Sequence, residues 1–417
     1  MPPLRSPLSP PELVSPAGDW PSLHAAVESG ADAVYFGVKG MNMRHEAANF
    51  DVLEIKKVMD ILRERNMKGY LTLNTIVMNS QLAKVGRILE AARKAAVDAV
   101  ILWDMAVLAL AKGMGLRVHL STQASVANIQ ALEFFANLGA RRVVLARECT
   151  LADIVKIKAD LDSRQVDCEL EAFIHGAMCV SISGRCFLSL EAFGKSANQG
   201  GCLQPCRREF LIREDSGESE YILGKNYVLS PRDLCAIGFI DKLILSGIRA
   251  FKIEGRMRSP EYVKVTTSVY RQAIDAFFNN RLNETLKADL RERLCAVYNR
   301  GFSDGFYFGR PQSTESSGTA HNYKKVFLGE VTRFFKKIGV AELRLRNASL
   351  VKGQRVLFIG KRTPARMATV DEMQKHHCFV EKAEKGEAVG VKLPFPVRPR
   401  DKVFLWVKKP EIPSSES

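Results

Sequence analysis

The sequence lacks any long apolar segment. No stretch of its 417 residues approaches the run of roughly 18 apolar residues that a membrane-spanning helix needs. The proline-rich start, MPPLRSPLSPPE, also lacks the apolar region of a secretory signal peptide, and we expect residues 1–11 to be disordered. These absences predict a cytoplasmic protein with no membrane partner.

Disulfide frameworks and low-complexity chains are excluded as well. The nine cysteines are an odd number, and most of them lie in mid-chain, which is unlike the paired cysteines of a small secreted protein. Apolar residues make up 46% of the chain and charged residues 26%, which is ordinary for a globular protein. The composition therefore predicts a folded chain with a core of useful size.

Three common sequence signatures are also missing. There is no HExxH of the zinc proteases, no G-x-S-x-G of the serine hydrolases, and no GxGxxG after the first β-rich run. A cysteine–histidine nucleophile pair stays open as an alternative, because Cys179 and His175 are close in the sequence.

Positive charge is in excess and unevenly distributed. The chain has 61 Lys and Arg against 46 Asp and Glu, a formal charge of +15. Residues 322–410 hold 21 of the basic and 8 of the acidic residues, a net charge of +13, which leaves +2 for the other 328 residues. We expect this segment to be a separate module that binds a polyanion such as RNA. A basic surface that merely keeps the protein soluble is the alternative.

Short β-rich runs alternate with amphipathic helical segments over residues 12–311. Eight such runs predict an α/β protein with a (β/α)8 TIM-like barrel rather than an open doubly wound sheet. The predicted strands are Glu12–Gly18, Ala33–Gly37, Tyr70–Asn74, Ala99–Asp104, Arg117–Gln123, Arg142–Arg147, Glu169–Gly176 and Ala250–Gly255. Between the last two lies a Cys-rich insertion, residues 177–232, at strand ends where barrel enzymes place their chemistry.

A different pattern follows the predicted barrel. Residues 312–321 are rich in Ser and Thr and predict a linker. Residues 322–410 contain short strands between Gly- and Pro-containing turns, with no convincing helix. This pattern indicates a small, closed, all-β barrel that carries the basic residues. Residues 411–417 are predicted to be a disordered tail.

Four cysteines of the insertion are distinguished by their spacing. Cys179, Cys186, Cys202 and Cys206 form C-x6-C-x15-C-x3-C among several glycines. Thiolates bind soft metals and iron–sulfur clusters, and nearby glycines let backbone amides approach the cluster sulfides. Zinc sites usually have closer cysteine pairs, so the spacing favours a cluster. Zinc and unrelated free thiols remain as alternatives.

Four long motifs resemble the U32 peptidase, or collagenase-like, family. They are ELVSPAGDWPSLHAAVESGADAVYFG at 12–37, EAFIHGAMCVSISGRCFLS at 171–189, NQGGCLQPCR at 198–207 and FKIEGRMRSPEYV at 251–263. The similarity extends over about residues 12–310, and the basic segment resembles a β-barrel that some members carry. Within the family, the chain is most similar to the subgroup that hydroxylates the wobble uridine of tRNA to 5-hydroxyuridine.

The resemblance implies a 4Fe-4S cluster on Cys179, Cys186, Cys202 and Cys206, and prephenate as the hydroxyl donor. Members that act in ubiquinone synthesis lack the last of these cysteines. The resemblance therefore implies an iron–sulfur enzyme that modifies RNA, with tRNA as its partner. Hydroxylation of an rRNA cytidine is one alternative. The historical family name suggests a peptidase as another, for which the sequence offers little support.

Polar residues at the carboxyl ends of the predicted strands form the candidate active-site wall. Glu171 and His175, which strand alternation places on one side, and Arg256 are predicted to be catalytic. The predicted substrate-binding residues are Arg44, Asn74, Gln123, Arg147 and Arg258. Arginines can pair with the carboxylates of a small co-substrate. The alternative for each arginine is an ion pair with a neighbouring loop, and for His175 a structural position.

Overall fold

The computed structural model of the protein describes residues 9–208, 210–213, 220–223, 231–309 and 321–409. The predicted tail, 411–417, lies outside the described residues. So do residues 1–8 of the predicted disordered start, 1–11, and residues 312–320 of the predicted linker, 312–321. None of the helices in the described ranges combines the length and apolar character that a membrane crossing requires.

Eight parallel strands close into a barrel in the described part of the chain. They are β1 Glu12–Ala17, β2 Ala33–Gly37, β3 Lys68–Leu73, β4 Ala99–Leu102, β5 Val118–Leu120, β6 Ala140–Val144, β7 Glu169–Gly176 and β8 Ala250–Ile253. Neighbours in sequence pair with each other, and β8 closes the barrel by pairing with both β7 and β1. The predicted (β/α)8 TIM-like fold is confirmed.

Helices connect the strands and cover the outside of the barrel. Along the described chain they are α1 Trp20–Glu28, α2 Ile55–Arg63, α3 Leu82–Lys94, α4 Met105–Gly113, α5 Ile129–Leu138, α6 Leu151–Ser163, α7 Leu188–Phe193, α8 Ile240–Leu245, α9 Pro260–Phe278 and α10 Glu284–Cys295. In α2 the buried side chains are Ile55, Val58, Met59 and Leu62. This spacing places them on one face, which packs into the apolar layer between helices and strands.

Charged side chains occupy part of the barrel interior. Arg142 Nη1 on β6 lies 2.6 Å from Glu12 Oε1 and 3.3 Å from Glu171 Oε2. The other oxygen of Glu171 accepts a 2.6 Å hydrogen bond from Lys252 Nζ on β8. Burial raises the pKa of Glu12, but the hydrogen bond and charge of Arg142 outweigh it and hold that pKa at about 2. This network ties together four strands, β1, β6, β7 and β8.

The insertion between β7 and β8 lies over the carboxyl end of the barrel. Its described part contains α7, a hairpin of Phe210–Arg213 and Glu220–Leu223, and a strand, Asp233–Cys235, that runs antiparallel to the end of β7. Some residues of the predicted insertion, 177–232, lie outside the described ranges. The four cysteines of its spacing motif are all described.

An antiparallel sheet follows the barrel. Its described strands are β9 Tyr323–Phe335, β10 Val340–Leu345, β11 Arg355–Ile359, β12 Arg366–Thr369, β13 Met373–Lys375, β14 Cys378–Phe379, β15 Ala388–Lys392 and β16 Lys402–Lys408. They pair in the order β12-β11-β16-β9-β10-β15-β13-β14. Leu343 and Phe358 are among the buried side chains of its separate apolar core. The predicted C-terminal all-β fold is confirmed in the form of a curled half-barrel.

Polar contacts join this sheet to α9 of the barrel. Lys264 Nζ donates a 2.6 Å hydrogen bond to the carbonyl oxygen of Ala365, and Lys325 Nζ lies 2.7 Å from Glu261 Oε1. Part of the positive charge of residues 322–409 is therefore paired with the barrel.

Candidate active site

A cavity of about 120 Å³ lies at the carboxyl ends of the barrel strands, beneath the insertion. Strands β2 to β8 and the loops that follow them supply one wall, and the insertion supplies the other. Carboxyl ends of barrel strands are where enzymes with this fold carry out their chemistry. The cavity is therefore the candidate active site.

The four cysteines of the spacing motif all line this cavity. Each is half-buried, and none forms a disulfide. The pKa of the Cys206 thiol is raised, first by burial and then by the neighbouring Cys179, Cys202 and Cys186 sulfurs, against the opposing charge of Arg207. The four thiols thus lie close enough to interact electrostatically.

Backbone amides point at two of these sulfurs. Ser181 N–H donates to Cys179 Sγ at 3.5 Å, and Leu188 N–H donates to Cys186 Sγ at 3.3 Å. Hydrogen bonds to sulfur are one means by which proteins tune iron–sulfur clusters. Within the described ranges, no three His, Cys, Asp or Glu side chains are grouped so that they could hold a metal ion. In a four-iron cluster each thiolate binds a different iron, so four free thiols on one cavity are the donor set that such a cluster would use.

Arg44 forms an ion pair with Glu254 on the cavity wall. Its Nη2 and Nε lie 3.1 and 3.2 Å from Glu254 Oε1. Burial raises the pKa of Glu254, but the charges of Arg44, Arg258 and Arg147 lower it below its ordinary value. Glu254 is therefore ionised near neutral pH, and Arg44 is already partnered by a carboxylate.

Arg256 and Arg147 line the cavity with no carboxylate among their described hydrogen-bond partners. Arg256 Nη1 donates to Asn42 Oδ1 at 2.8 Å and to Thr72 Oγ1 at 2.9 Å. The Arg147 guanidinium lies 4.4 Å from the centroid of the Phe173 ring. Burial lowers the pKa of both groups, to about 10 for Arg256. Guanidinium groups stay protonated in proteins. These two guanidinium groups can bind the carboxylates of a small anion by donating hydrogen bonds to them.

Asn74 and Gln123 lie side by side in the cavity lining. Asn74 Nδ2 donates to Gln123 Oε1 at 3.3 Å, and the hydroxyl of Ser121 donates to the same oxygen. Asn74 Oδ1 accepts a 3.2 Å hydrogen bond from the amide of Met43. The side-chain amides are thus held in place by one another and by neighbouring loops.

Glu171 lies below the cavity rather than in its lining. It is fully buried and pairs with Lys252, which does line the cavity. Lys252 Nζ is also 4.3 Å from the centroid of the Tyr35 ring, another lining residue. Sequence reasoning missed both residues. The signal for Lys252 was a single charged residue within the apolar strand AFKI.

His175 faces away from the cavity, because β7 contains an irregularity. Phe173 pairs with Lys252 and His175 pairs with Ile253, so one extra residue, Ile174, stands between the two pairs on β7. Such a bulge reverses the alternation of side chains. The expectation that His175 shares a side with Phe173 and Glu171 is therefore wrong.

The surroundings of His175 are largely aromatic. Its Nδ1 lies 3.2 Å from the hydroxyl of Tyr270, and its ring packs against Tyr262 and Phe302. Burial, assisted by the charge of Arg258, lowers the pKa of His175 to about 3. Its position gives no support to a catalytic role.

We expect His175 to reduce stability as the pH falls below 6.5. Because its folded-state pKa is below the ordinary 6.5, the unfolded chain binds a proton that the folded chain does not. Its stabilising contribution is complete above pH 6.5 and is lost toward pH 3, by about 1.4 kcal/mol per pH unit. The free energy of unfolding, measured with urea between pH 6.5 and 5, should fall less steeply with decreasing pH for His175→Gln than for the wild type, by about this amount per pH unit. Equal pH slopes for the wild type and His175→Gln would refute the prediction.

Arg258 also lies outside the cavity lining. Its guanidinium is 4.2 Å from the centroid of the Tyr298 ring and 3.9 Å from a carboxylate oxygen of Asp233. Of the predicted substrate-binding residues, Arg44, Asn74, Gln123 and Arg147 line the cavity. Arg258 instead contacts a carboxylate outside the cavity, that of Asp233 on the strand Asp233–Cys235.

The fold and the site together define a (β/α)8-barrel protein with a cationic, cysteine-lined cavity. The chain belongs to peptidase family U32, whose sequence profile matches residues 18–317. The resemblance seen in the sequence motifs is therefore confirmed.

Relatives of the chain carry two kinds of name. A Methanocaldococcus jannaschii protein described as an uncharacterized protease is 44% identical over 401 residues, 94% of this chain and 98% of that protein. A Porphyromonas gingivalis collagenase is 36% identical, with 96% of this chain and 99% of that protein covered. The Bacillus subtilis tRNA hydroxylation protein P1 is 36% identical, with 84% and 83% covered. Family membership alone does not choose between these activities.

Proposed function

We propose that the protein is an iron–sulfur RNA hydroxylase that converts the wobble uridine of tRNA to 5-hydroxyuridine, with prephenate as hydroxyl donor. The main support is the convergence of four free thiols and two arginines without carboxylate partners on one cavity. Four thiols can bind an iron–sulfur cluster, and two guanidinium groups can bind the two carboxylates of a dicarboxylate. The similarity to a tRNA hydroxylation protein over most of the chain adds to this support.

The cavity residues divide into three roles in this proposal. The four cysteines would hold a 4Fe-4S cluster, which supplies Lewis-acid or electron-transfer chemistry when bound. Arg147 and Arg256 bind and orient the two carboxylates of prephenate. Asn74 and Gln123 offer amide groups that can hydrogen-bond to the edge of a uracil base. Glu254, held ionised by Arg44, keeps that guanidinium in position on the wall.

RNA binding has two parts in this proposal, contacts to the phosphate backbone and entry of the target base into the cavity. The basic half-barrel, residues 322–409, binds the phosphate backbone, so the affinity should fall steeply with salt. The target base must leave its stack to enter a barrel cavity, which suits a wobble base in a loop.

Mass spectrometry of nucleosides tests the proposed function directly. We expect 5-hydroxyuridine and its derivatives to disappear from the tRNA of a strain that lacks the gene. The wild-type gene should restore them, and a Cys202→Ala gene should not. Unchanged 5-hydroxyuridine, in a strain with no redundant enzyme, would contradict the proposal. Loss of 5-hydroxycytidine from rRNA instead would support the rRNA alternative.

The peptidase alternative has less geometric support. A cysteine peptidase needs a histidine within hydrogen-bond reach of its thiol. No histidine is part of the described cavity lining, and His175 faces away from it. We expect no hydrolysis of gelatin by the anaerobically purified protein.

Replacing Arg147 should weaken prephenate binding. A hydrogen-bonded charged pair contributes about 1.5–3 kcal/mol, so we expect Arg147→Gln to raise the Kd about 10- to 150-fold. Calorimetry on the anaerobic protein measures the Kd, and an unchanged iron content shows that the site is intact. Arg164→Gln, on the outer surface and paired with Glu133, is the matched control. Equal affinities of the Arg147 variant and the control would remove Arg147 from the binding site.

A further inference from the structure

The insertion exposes apolar side chains beside its cysteines. Phe187 directly follows Cys186 and is 66% exposed, and Ile182 between Cys179 and Cys186 is exposed to the same extent. On α7, Phe193 is 38% exposed. Ile182 and Phe187 directly adjoin residues that line the cavity, and exposed large apolar side chains of this kind are typical of a binding surface rather than of a core.

Arginines lie against aromatic rings in the same region. The Arg208 guanidinium is 4.5 Å from the centroid of the Phe193 ring, and that of Arg185 is 5.8 Å from the Trp103 ring. Both arginines are exposed, and neither pairs with a carboxylate of the described residues. Trp103 donates its indole N–H to the carbonyl oxygen of Asn74, a lining residue, at 3.0 Å. Cationic and aromatic groups therefore stand together beside the cavity.

The charge of this region indicates the chemistry of its partner. The charges beside the exposed apolar side chains are those of Arg185 and Arg208, although the insertion as a whole, residues 177–232, is nearly balanced, with seven Lys and Arg and six Asp and Glu. An apolar protein partner would not need this positive charge. A polyanion with flat, stackable groups matches both the rings and the charge.

We propose that this aromatic rim, formed by Trp103, Arg185, Phe187, Phe193 and Arg208, binds unpaired bases of an RNA loop next to the nucleotide that enters the cavity. The inference rests on the proposed function and specifies how its RNA is recognised. When one base leaves its stack, its neighbours lose a stacking partner, and aromatic rings replace that partner. The guanidinium groups contact phosphates or stack on bases. Because duplex bases are already stacked, the rim selects loops over paired RNA.

Fluorescence anisotropy of the anaerobic holoprotein tests the rim. The probes are a labelled RNA stem-loop and a fully paired duplex of equal length. We expect the double variant Phe187→Ala/Phe193→Ala to bind the stem-loop at least about fivefold more weakly per lost stacking contact. Its affinity for the duplex should be unchanged. Phe134→Ala, 59% exposed on α5, is the matched control and should bind both probes normally. Iron content and thermal unfolding verify that each variant is folded.

The arginines give a second, independent readout. Arg208→Gln should reduce the slope of log affinity against log salt by about one if the side chain contacts a phosphate. Arg208→Lys should keep the slope but lose affinity if it stacks on a base. Unchanged values in both variants would remove Arg208 from the rim.

The outcomes separate this inference from the proposed function. Wild-type affinity of the double phenylalanine variant for the stem-loop, or an equal loss for the duplex, would overturn the rim and leave the surface for another partner. Rim-dependent loop binding without any 5-hydroxyuridine would support the rim and overturn the proposed function.

Discussion

Replacement of Cys202 by alanine is expected to remove most of the iron from the anaerobically purified protein. The wild type should contain about four irons per chain, with matching acid-labile sulfide, and the variant fewer than one. A cluster that loses one of four thiolates has an iron open to solvent at a half-buried site. Cys179→Ala, Cys186→Ala and Cys206→Ala should behave in the same way. Iron and sulfide assays, with the visible absorption spectrum, measure the effect without reference to activity.

A matched control is available within the same chain. Cys295 is half-buried like the four cysteines, but it lies at the end of α10 and outside the cavity lining. Cys295→Ala should keep the full iron content. Stoichiometric zinc in place of iron would favour the zinc alternative. Protein free of metal in wild type and variants alike would leave the cysteines as free thiols.

The Arg142→Met variant is expected to lose about 3–5 kcal/mol of unfolding free energy. Its guanidinium pairs with Glu12 and Glu171 inside the barrel, and both carboxylates are mostly or fully buried. Without Arg142, Glu171 keeps only Lys252 as a cationic partner among the described residues. Among those residues Glu12 keeps only Lys68, so each buried carboxylate loses part of its charge compensation. Denaturant unfolding at pH 7 measures the loss.

The neighbouring Arg141 is the control for this prediction. It pairs with Asp167, but both side chains are largely exposed, so Arg141→Met should change stability by at most about 1 kcal/mol. The folded-state pKa of Glu12 is about 2, below its ordinary 4.5, so the contribution of Glu12 is present above pH 4.5 and is lost toward pH 2. The difference in unfolding free energy between the wild type and Arg142→Met should therefore become smaller as the pH falls from 4.5 toward 2. Similar losses for both arginine variants would show that the interior network is not the cause.

The barrel could be predicted from local patterns because its strands are buried and its helices are amphipathic. A buried parallel strand is a short apolar run, as in AVYFG and AVIL, and each run is followed by helical spacing. The cysteines could also be assigned to one site, because they lie within a single insertion. The number of strands and the place of the insertion needed no knowledge of distant contacts.

Side-chain direction at the strand ends could not be predicted in the same way. Alternation placed His175 in the cavity, but the bulge at Ile174 turned it toward α9. A bulge depends on how β7 pairs with β8, which lies more than seventy residues further along the chain. Lys252 was overlooked for the same reason, because its role depends on Glu171 across that pairing.

The sequence by itself determined the class of fold, the cysteine set and the separation of charge between the barrel and the segment 322–410, since each is a property of neighbouring residues. The tertiary structure decided which cations face the cavity. Arg147 and Arg256 do so without a carboxylate partner, whereas Arg44 is paired and Arg258 lies outside. The physical reason is that closing a barrel brings together residues that are distant in the chain. Which charges are buried, paired or left for a ligand follows only from that closure.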